Sequence, residues 1–445
     1  MKIKKIFCVV LSAVLLTVCL PVCVSAEQPT AEYVDGEIIF EYTPDSASLF
    51  SRSAGIFSKL KSLGITGIKE LETYDSNYYT SSVSSEPVTY TAKTDGDVLE
   101  TCRRLEKLDC ISYAEPNYIL ETDSYTTPSV ISNPSANYTN YEKWYLETAL
   151  NIPAAWEKYQ TCGENVVIAV IDNGFYTETS SFPEHLWDDG NGNHGWNTAN
   201  NTSDISPVYK VENGVSSELS DTVHGTNVAG IIGIAANKSN FIGAAYGSTL
   251  MLLKAAIDYT SGDTRTKFTS ASVTSAIDFA RNNGANIINM SLGSAAHSSA
   301  IKNAVARAYN SGIVLISSAG NAQTGTATQP FYPAADENVI GVMASDMTDT
   351  TILADFSNFD ENDGQYYDIT APGVGIIGSS LLEGKVSRLS GTSQAAPLVA
   401  SCAALFLSVY PGTSPEKVYD AIKKSPTKRV KSNPEATTST YTYKI

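Results

Sequence analysis

The stretch SRLSGTSQAAPLVASCAALF, residues 387–406, places Gly391, Thr392 and Ser393 directly before a run of small and apolar side chains. From Gln394 to Val409 that run has the composition of a buried helix, although serine and glycine are poor choices for a helix interior. Pro397 fits only near the first turn, where its missing N–H leaves no bond unmade. Ser393 is therefore expected at a helix N-terminus, where unpaired N–H groups and the helix dipole favour developing negative charge. A nucleophilic hydroxyl would be well placed there; the plainer alternative is a serine capping a core helix. A nucleophilic serine needs a base. Of the four histidines, His185 and His194 lie in a Gly/Asn/Asp-rich loop and His297 in the polar segment SAAHSS. Only His224 opens an apolar helical run, where a helix cap is the competing role. An imidazole base needs in turn a carboxylate that fixes its tautomer. Asp172 closes the apolar run Val166–Ile171, a costly place for a charge unless something satisfies it, although an aspartate there is also compatible with a turn. The three residues supply carboxylate, base and nucleophile in the chain order Asp, His, Ser.

Elements able to position such groups are legible from Tyr141 onward. NVVIAVID, TLMLLKAA, ANIINMSLG, IVLISSAGN and NVIGVMAS are short apolar runs suited to parallel strands buried on both faces. Between them lie the helical patterns HGTNVAGIIGIAA, SVTSAIDFARNNG and AIKNAVARAYNSG, the last two closed by Gly284 and Gly312. This alternation predicts a doubly wound, mostly parallel α/β sheet with helices on both faces and reacting groups at the carboxyl ends of the strands. Residues 27–120 read as a separate small α+β unit. GEIIFEY puts Ile38, Phe40 and Tyr42 on one strand face, and TDGDVLETCRRLEKL forms a helix capped by Asp95 or Asp97 with Val98, Cys102, Leu105 and Leu108 in one stripe. CISYAEPNYIL is a final strand. Residues 121–140 carry turn-forming clusters without a period and are expected to be a linker.

The chain has 445 residues, enough for two or three domains, and its 42% hydrophobic content suits a globular protein. Lys2, Lys4 and Lys5 precede an apolar run from Ile6 to Val24 that ends in Val24-Ser25-Ala26, the pattern of a secretory signal peptide over residues 1–26. A retained anchor is the rival reading. Without these three of the 30 basic residues, 27 remain against 47 acidic ones, a net of −20, which argues against nucleic acid or an anionic membrane surface as partner. No further run of about 18 apolar residues stands out as a membrane span. Of seven cysteines, Cys102, Cys110, Cys162 and Cys402 lie beyond the leader, too few for a disulfide scaffold.

The segments VIDNGF, HGTNVAG, INMSLG, SSAGN, FYPAA, TAPGV and GTSQAAP resemble, in order, the signature segments of the subtilisin-like serine proteases, over roughly residues 141–425. Residues 33–120, ending in AEPNYIL, are similar to the ferredoxin-like inhibitory propeptide that precedes such domains. The resemblance implies a secreted, self-processing serine endopeptidase acting on polypeptides and needing no cofactor, with its own propeptide as inhibitor and residues 141–445 as catalytic domain. Asp172, His224 and Ser393 would be the triad. Asn321 would be the side-chain donor of the oxyanion hole, and Ser291, Leu292 and Gly293 would pair with substrate backbone. Phe331 precedes the YP of FYPAA, where many members have glycine at the floor of the primary specificity pocket; a ring there implies a shallow pocket and small residues before the cut, unless it turns outward. Two rival functions are a non-catalytic peptide-binding relative, which would be expected to lack a triad residue, and an esterase, which would be expected to show GxSxG rather than GTSQA.

Departures from the family pattern matter as well. Gln394 replaces a methionine beside the nucleophile, and Asn227 replaces a second histidine. The 52-residue interval from Asp172 to His224 is long, so residues 176–220 are expected to form an inserted surface loop. A family calcium loop looks degraded in AANKSNFIG, although Asn237 and Asn240 persist. Another structural-calcium candidate is DDGNGNHGW, where Asp188, Asp189, Asn191 and Asn193 offer oxygen ligands; an Asx/Gly turn is the rival reading, since an EF-hand-like loop would want glycine where His194 stands.

Overall fold

The computed structural model describes residues 31–43, 53–71, 87–122, 129–131, 144–207, 210–212, 215–217, 220–235, 241–257, 266–322, 329–347, 349, 352–360, 365–425, 429–431 and 442–444. The leader, Asn237, Asn240 and most of the expected linker lie outside the described residues.

The N-terminal elements are β1 (Tyr33–Tyr42), α1 (Ser53–Ser62), β2 (Ile65–Glu70), β3 (Val88–Thr94), α2 (Val98–Leu105) and β4 (Ile111–Thr122). They form an antiparallel sheet in the order β4-β1-β3-β2, the split βαβ arrangement of ferredoxin-like units. Asp97 caps α2 by accepting from the Glu100 amide at 2.8 Å. Ile38, Phe40, Val98, Cys102 and Leu105 share one core, as the helical and strand periods predict. The sequence assigns only the face of Ile38, Phe40 and Tyr42 to a core. On the opposite face Ile39, fully buried, packs with Ala271 and Ala300 of the larger unit. Alternation in the sequence cannot reveal a docked partner on the polar face.

Strand β4 runs two residues past the expected boundary, and part of the expected linker is ordered as β5 (Ser129–Ile131). A π-helical turn over residues 144–149 and α3 (Ile152–Tyr159) lead to β6 (Val167–Asp172). Then come β7 (Gly195–Asn197), the hairpin β8 (Lys210–Glu212) and β9 (Val215–Ser217), α4 (Ser220–Gly233), β10 (Thr249–Lys254), β11 (Lys267–Thr269), α5 (Ser270–Asn282), β12 (Ile287–Met290) and β13 (Leu292–Gly293). The rest comprises α6 (Ser299–Asn310), β14 (Val314–Ser318), β15 (Ile340–Ser345), β16 (Ile369–Pro372), β17 (Ile376–Ser379), β18 (Val386–Leu389), α7 (Thr392–Val409), α8 (Pro415–Lys424), β19 (Arg429–Lys431) and β20 (Thr442–Lys444).

Seven parallel strands form the central sheet in the order β16-β15-β14-β12-β6-β10-β7. Along β6, Ile168 and Val170 enter one core with residues of α4 and α7, while Ala169 and Ile171 enter the other with residues of α5 and α6. This two-sided burial is why the strands read as continuous apolar runs. The insertion expected over residues 176–220 is more than a surface loop, because its β7 adds an edge strand to the sheet. That addition needs Gly195, where a Cβ would lie 1.7 Å from the Leu252 carbonyl oxygen. Helices α5 and α6 are followed by Gly284 and Gly312 at φ +81 and +94, the left-handed conformation that closes helices. Helix α7 is long and apolar enough to cross a membrane, but it is a core helix buried between the sheet and its neighbours.

Candidate active site

Strand order reverses around β6: the next strand of the sheet core, β10, lies on one side and β12, β14, β15 and β16 follow outward on the other. The crevice beyond the carboxyl ends of the strands at such a point is where α/β sheets bind ligands. Asp172 is the last residue of β6, Ser291 follows β12, and Asn321 follows β14 by three residues. Helix α4 begins at Ser220, so His224 sits on its second turn rather than opening it. This turns the ring toward the sheet. His224 Nδ1 lies 2.8 Å from Asp172 Oδ1, and both side chains are fully buried. The Asn173 amide donates to the same carboxylate oxygen at 2.7 Å. Gly225 allows the close approach, since a Cβ there would meet the Gly174 carbonyl oxygen at 2.5 Å and the Asp172 side chain at 3.0 Å.

Ser393 is the second residue of α7, as the sequence predicts. Pro397 stands deeper than the first turn. Lacking an N–H, it cannot donate to the carbonyl four residues back, which belongs to Ser393. Ser291 fills the gap: its Oγ donates to Ser393 O at 2.9 Å, and Ser393 Oγ donates to Ser291 O at 3.2 Å. Nucleophile and strand exit are thereby tied in both directions, a link between residues 102 apart that no local pattern announces. Asn321 Oδ1 accepts from the Thr392 amide at 3.0 Å and from Thr392 Oγ1 at 3.1 Å, which fixes the amide with its oxygen on the Thr392 side. Gln394 is fully buried beside Ser393, with neither amide atom hydrogen-bonded.

Leu292 and Gly293 are paired antiparallel with Thr122 and Glu121, while Lys267, Phe268 and Thr269 hold the other edge of β4 at Glu121, Leu120 and Ile119. The end of β4 is thus an extended strand inserted between β11 and β13, and Leu120 is buried in one core with Phe268 and Leu292. The β11 wall was not legible in the sequence because a strand of three residues carries no usable period. Further back, β4 caps two helices. Glu115 accepts from Ser298 Oγ and the Ser299 amide at 2.7 Å and from the Ala300 amide at 3.0 Å. Asn117 Oδ1 accepts from the Ala271 amide at 3.0 Å and Ser270 Oγ at 3.3 Å. Burial raises the pKa of Glu115, an effect these donors oppose.

Phe331 turns inward. A methyl group placed on Gly293 would lie 2.2 Å from its Cε1, and one on Gly320 2.9 Å from its Cδ1, so the ring rests against both glycine backbones beside Asn321. The loop Asp188–Asn193 folds on itself. Asp188 Oδ1 accepts from the Gly190 and Gly192 amides, and Asp189 accepts from the backbone and side-chain nitrogens of Asn191 and Asn193. These bonds make the loop a set of Asx turns. His194 Nδ1 contacts the Trp187 carbonyl, His297 Nε2 contacts Asp336, and neither joins the crevice pair. The four cysteines beyond the leader are free, and burial pushes the Cys102 and Cys402 thiols up to about 12, suiting packing rather than nucleophilic roles.

Comparison with known proteins agrees with this geometry. Residues 163–441 match the family model described as the subtilase family, peptidase S8. The chain is 31% identical over 383 residues to the thermophilic serine proteinase of Bacillus sp. (strain AK1), covering 84% of this chain and 79% of that protein. It is 31% identical over 326 residues to the minor extracellular protease Epr of Bacillus subtilis (strain 168), covering 73% of this chain but only 44% of Epr. The crystal structure of fervidolysin from Fervidobacterium pennivorans, a keratinolytic enzyme related to subtilisin, superposes with a TM-score of 0.63 at 23% identity. That likeness covers 88% of this chain and 57% of fervidolysin, and it speaks for the fold alone. The chain belongs to the subtilase family and is a serine protease of the subtilisin type.

Proposed function

We propose that this protein is a secreted endopeptidase made as a self-processing zymogen, residues 27–120 being the propeptide that inhibits it. The observation that carries this reading is the insertion of β4 between β11 and β13, which sets the chain's own backbone beside Ser393 as an added strand. Asp172 holds the His224 ring by its Nδ1 side, leaving Nε2 to act as base. Ser393 gives its proton to His224 as Oγ attacks a peptide carbonyl carbon. The Ser393 amide and the Asn321 side-chain nitrogen receive the oxyanion, aided by the α7 N-terminus. His224 then protonates the leaving amine, and a water activated by the same ring hydrolyses the acyl-enzyme. In the resting zymogen the Ser393 hydroxyl points to Ser291 O, so the first event is its rotation toward the imidazole.

Phe331 shortens the primary specificity pocket, favouring Ala, Ser or Thr before the cut. The test is purification of wild type and Ser393→Ala in a protease-free preparation. Wild type is expected to mature and to label with a fluorophosphonate, and Ser393→Ala to stay full length and unlabelled. Efficient maturation of the mutant excludes self-processing; absence of labelling in matured wild type excludes the hydrolase.

A further inference from the structure

We infer that His297 and Asp336 form a clasp that keeps the Phe331 ring in the primary specificity pocket, and so set how small the residue before the cut must be. This rests on the pocket reading above and adds the residues that hold the ring. Neither belongs to the crevice pair of Asp172 and His224; both act as positioning residues, through the turn that carries Phe331. That turn, Phe331–Asp336, moves as one piece. Phe331 O accepts from the Ala335 amide and Pro333 O from the Asp336 amide, both at 3.0 Å. A displacement of Asp336 is therefore passed on to Phe331.

Ala334 anchors the far side of the turn in a small core with Met343 and Tyr367. Its near side faces the wall formed by Gly293, against which the Phe331 ring rests. Two attachments join turn and wall. The first is the pair Ser294 and Tyr332, which exchange both backbone hydrogen bonds, at 2.9 and 2.8 Å. Two bonds between a single pair of residues act as a hinge, fixing the separation but not the angle. The second attachment is the clasp. His297 Nε2 donates to Asp336 Oδ1 at 3.1 Å, and the His297 ring stacks on Tyr332 with centroids 4.2 Å apart and planes inclined by 28°. His297 has a firm base. Ser298 caps α6 by accepting from the Ile301 amide at 3.3 Å, and the Ala296 amide donates to Ser294 Oγ at 3.1 Å. The clasp thus fixes the angle that the hinge leaves open.

Asp336 has little choice of partner. Its side chain is 6% exposed, and among the described residues its Oδ2 has no hydrogen-bond partner. Burial pushes its carboxyl above the usual aspartate range, and His297 and Lys302 oppose that shift. Without the imidazole the carboxylate is buried and unpaired, a costly state that is relieved by turning it out to water. Turning outward carries the turn, and the Phe331 ring with it, away from Gly293.

The experiment uses active enzyme prepared from the full precursor as wild type, His297→Ala, His297→Gln, Phe331→Gly and the double variant His297→Ala/Phe331→Gly. The substrates are peptides that differ only in Ala or Leu before the cut. Wild type is expected to favour Ala. His297→Ala is expected to raise the Leu-to-Ala ratio of kcat/KM by about 10-fold, the low end of the range for opening a pocket, with the change in KM. His297→Gln places an amide donor near the position of Nε2 and is expected to restore most of the wild-type ratio. In the Phe331→Gly background there is no ring to hold, so His297→Ala is expected to leave the ratio unchanged. A wild-type ratio in His297→Ala, a His297→Gln as permissive as His297→Ala, or an equal shift in both backgrounds overturns the clasp and leaves the occluded pocket standing. A wild type that already prefers Leu overturns the pocket reading as well. Should His297→Ala yield no active enzyme, Asp336→Asn decides. It replaces a charge-assisted bond by a weaker neutral one and is expected to move the ratio the same way; an unchanged ratio overturns the clasp.

Discussion

Replacing Ser291 by alanine is expected to destabilise the protein chiefly through a carbonyl that proline has orphaned. Two hydrogen bonds disappear: Ser291 Oγ to Ser393 O at 2.9 Å, and Asn289 Nδ2 to Ser291 Oγ at 3.1 Å, all among buried groups. Each buried polar group left unsatisfied costs about 1–3 kcal/mol, so the single change, which leaves two, is expected to cost about 2–6 kcal/mol. Only the first bond involves Pro397. In Pro397→Ala the new N–H of residue 397 points at the Ser393 carbonyl as an ordinary helical donor. There Ser291→Ala should cost about 1–2 kcal/mol less, a coupling of the size expected for residues sharing one acceptor. At about 2–4 °C per kcal/mol for a domain of this scale, the penalty shrinks by about 2–8 °C. The assay is thermal unfolding of the four-variant cycle in a Ser393→Ala background, which prevents self-digestion and keeps the 393 carbonyl. Equal penalties in both backgrounds, within about 0.5 kcal/mol, would show that the carbonyl depends on neither residue.

Three further outcomes are expected. Gln394→Met removes an amide with no hydrogen-bond partner from a buried site and should stabilise by about 1–3 kcal/mol; a lower melting temperature in the Ser393→Ala background would contradict this. Burial raises the Glu115 pKa, so its contribution to docking is fully present below the ordinary glutamate value and is lost as pH rises through the docked value. Melting of the Ser393→Ala precursor should therefore fall with rising pH relative to Glu115→Gln, and parallel pH profiles would refute the assignment. Phe331→Gly should shift the best peptide substrates from Ala, Ser or Thr to large apolar residues before the cut by about 10–200-fold, and a wild type that already prefers Phe or Leu would defeat the occluded pocket.

The sequence by itself determined the elements and the residue types at their ends. Two-sided apolar runs such as Val167–Ile171 can only be strands of a covered parallel sheet, and Asp97, Gly284 and Gly312 mark helix ends through their own local chemistry. Asp172, His224 and Ser393 were legible because each sits at or near the end of a run whose character is written in neighbouring residues. Tertiary structure decided what those neighbours could not encode. It alone turned three residues of the insertion into an edge strand, aimed the Phe331 ring at two glycines, and set Glu115 on the amides of residues 299 and 300. The same holds for the bond from Ser291 to the carbonyl that Pro397 leaves open. The partners lie from 11 to nearly two hundred positions away in the chain. Periodicity and capping act over a few residues, whereas these contacts exist only after the sheet has closed distances that the chain does not.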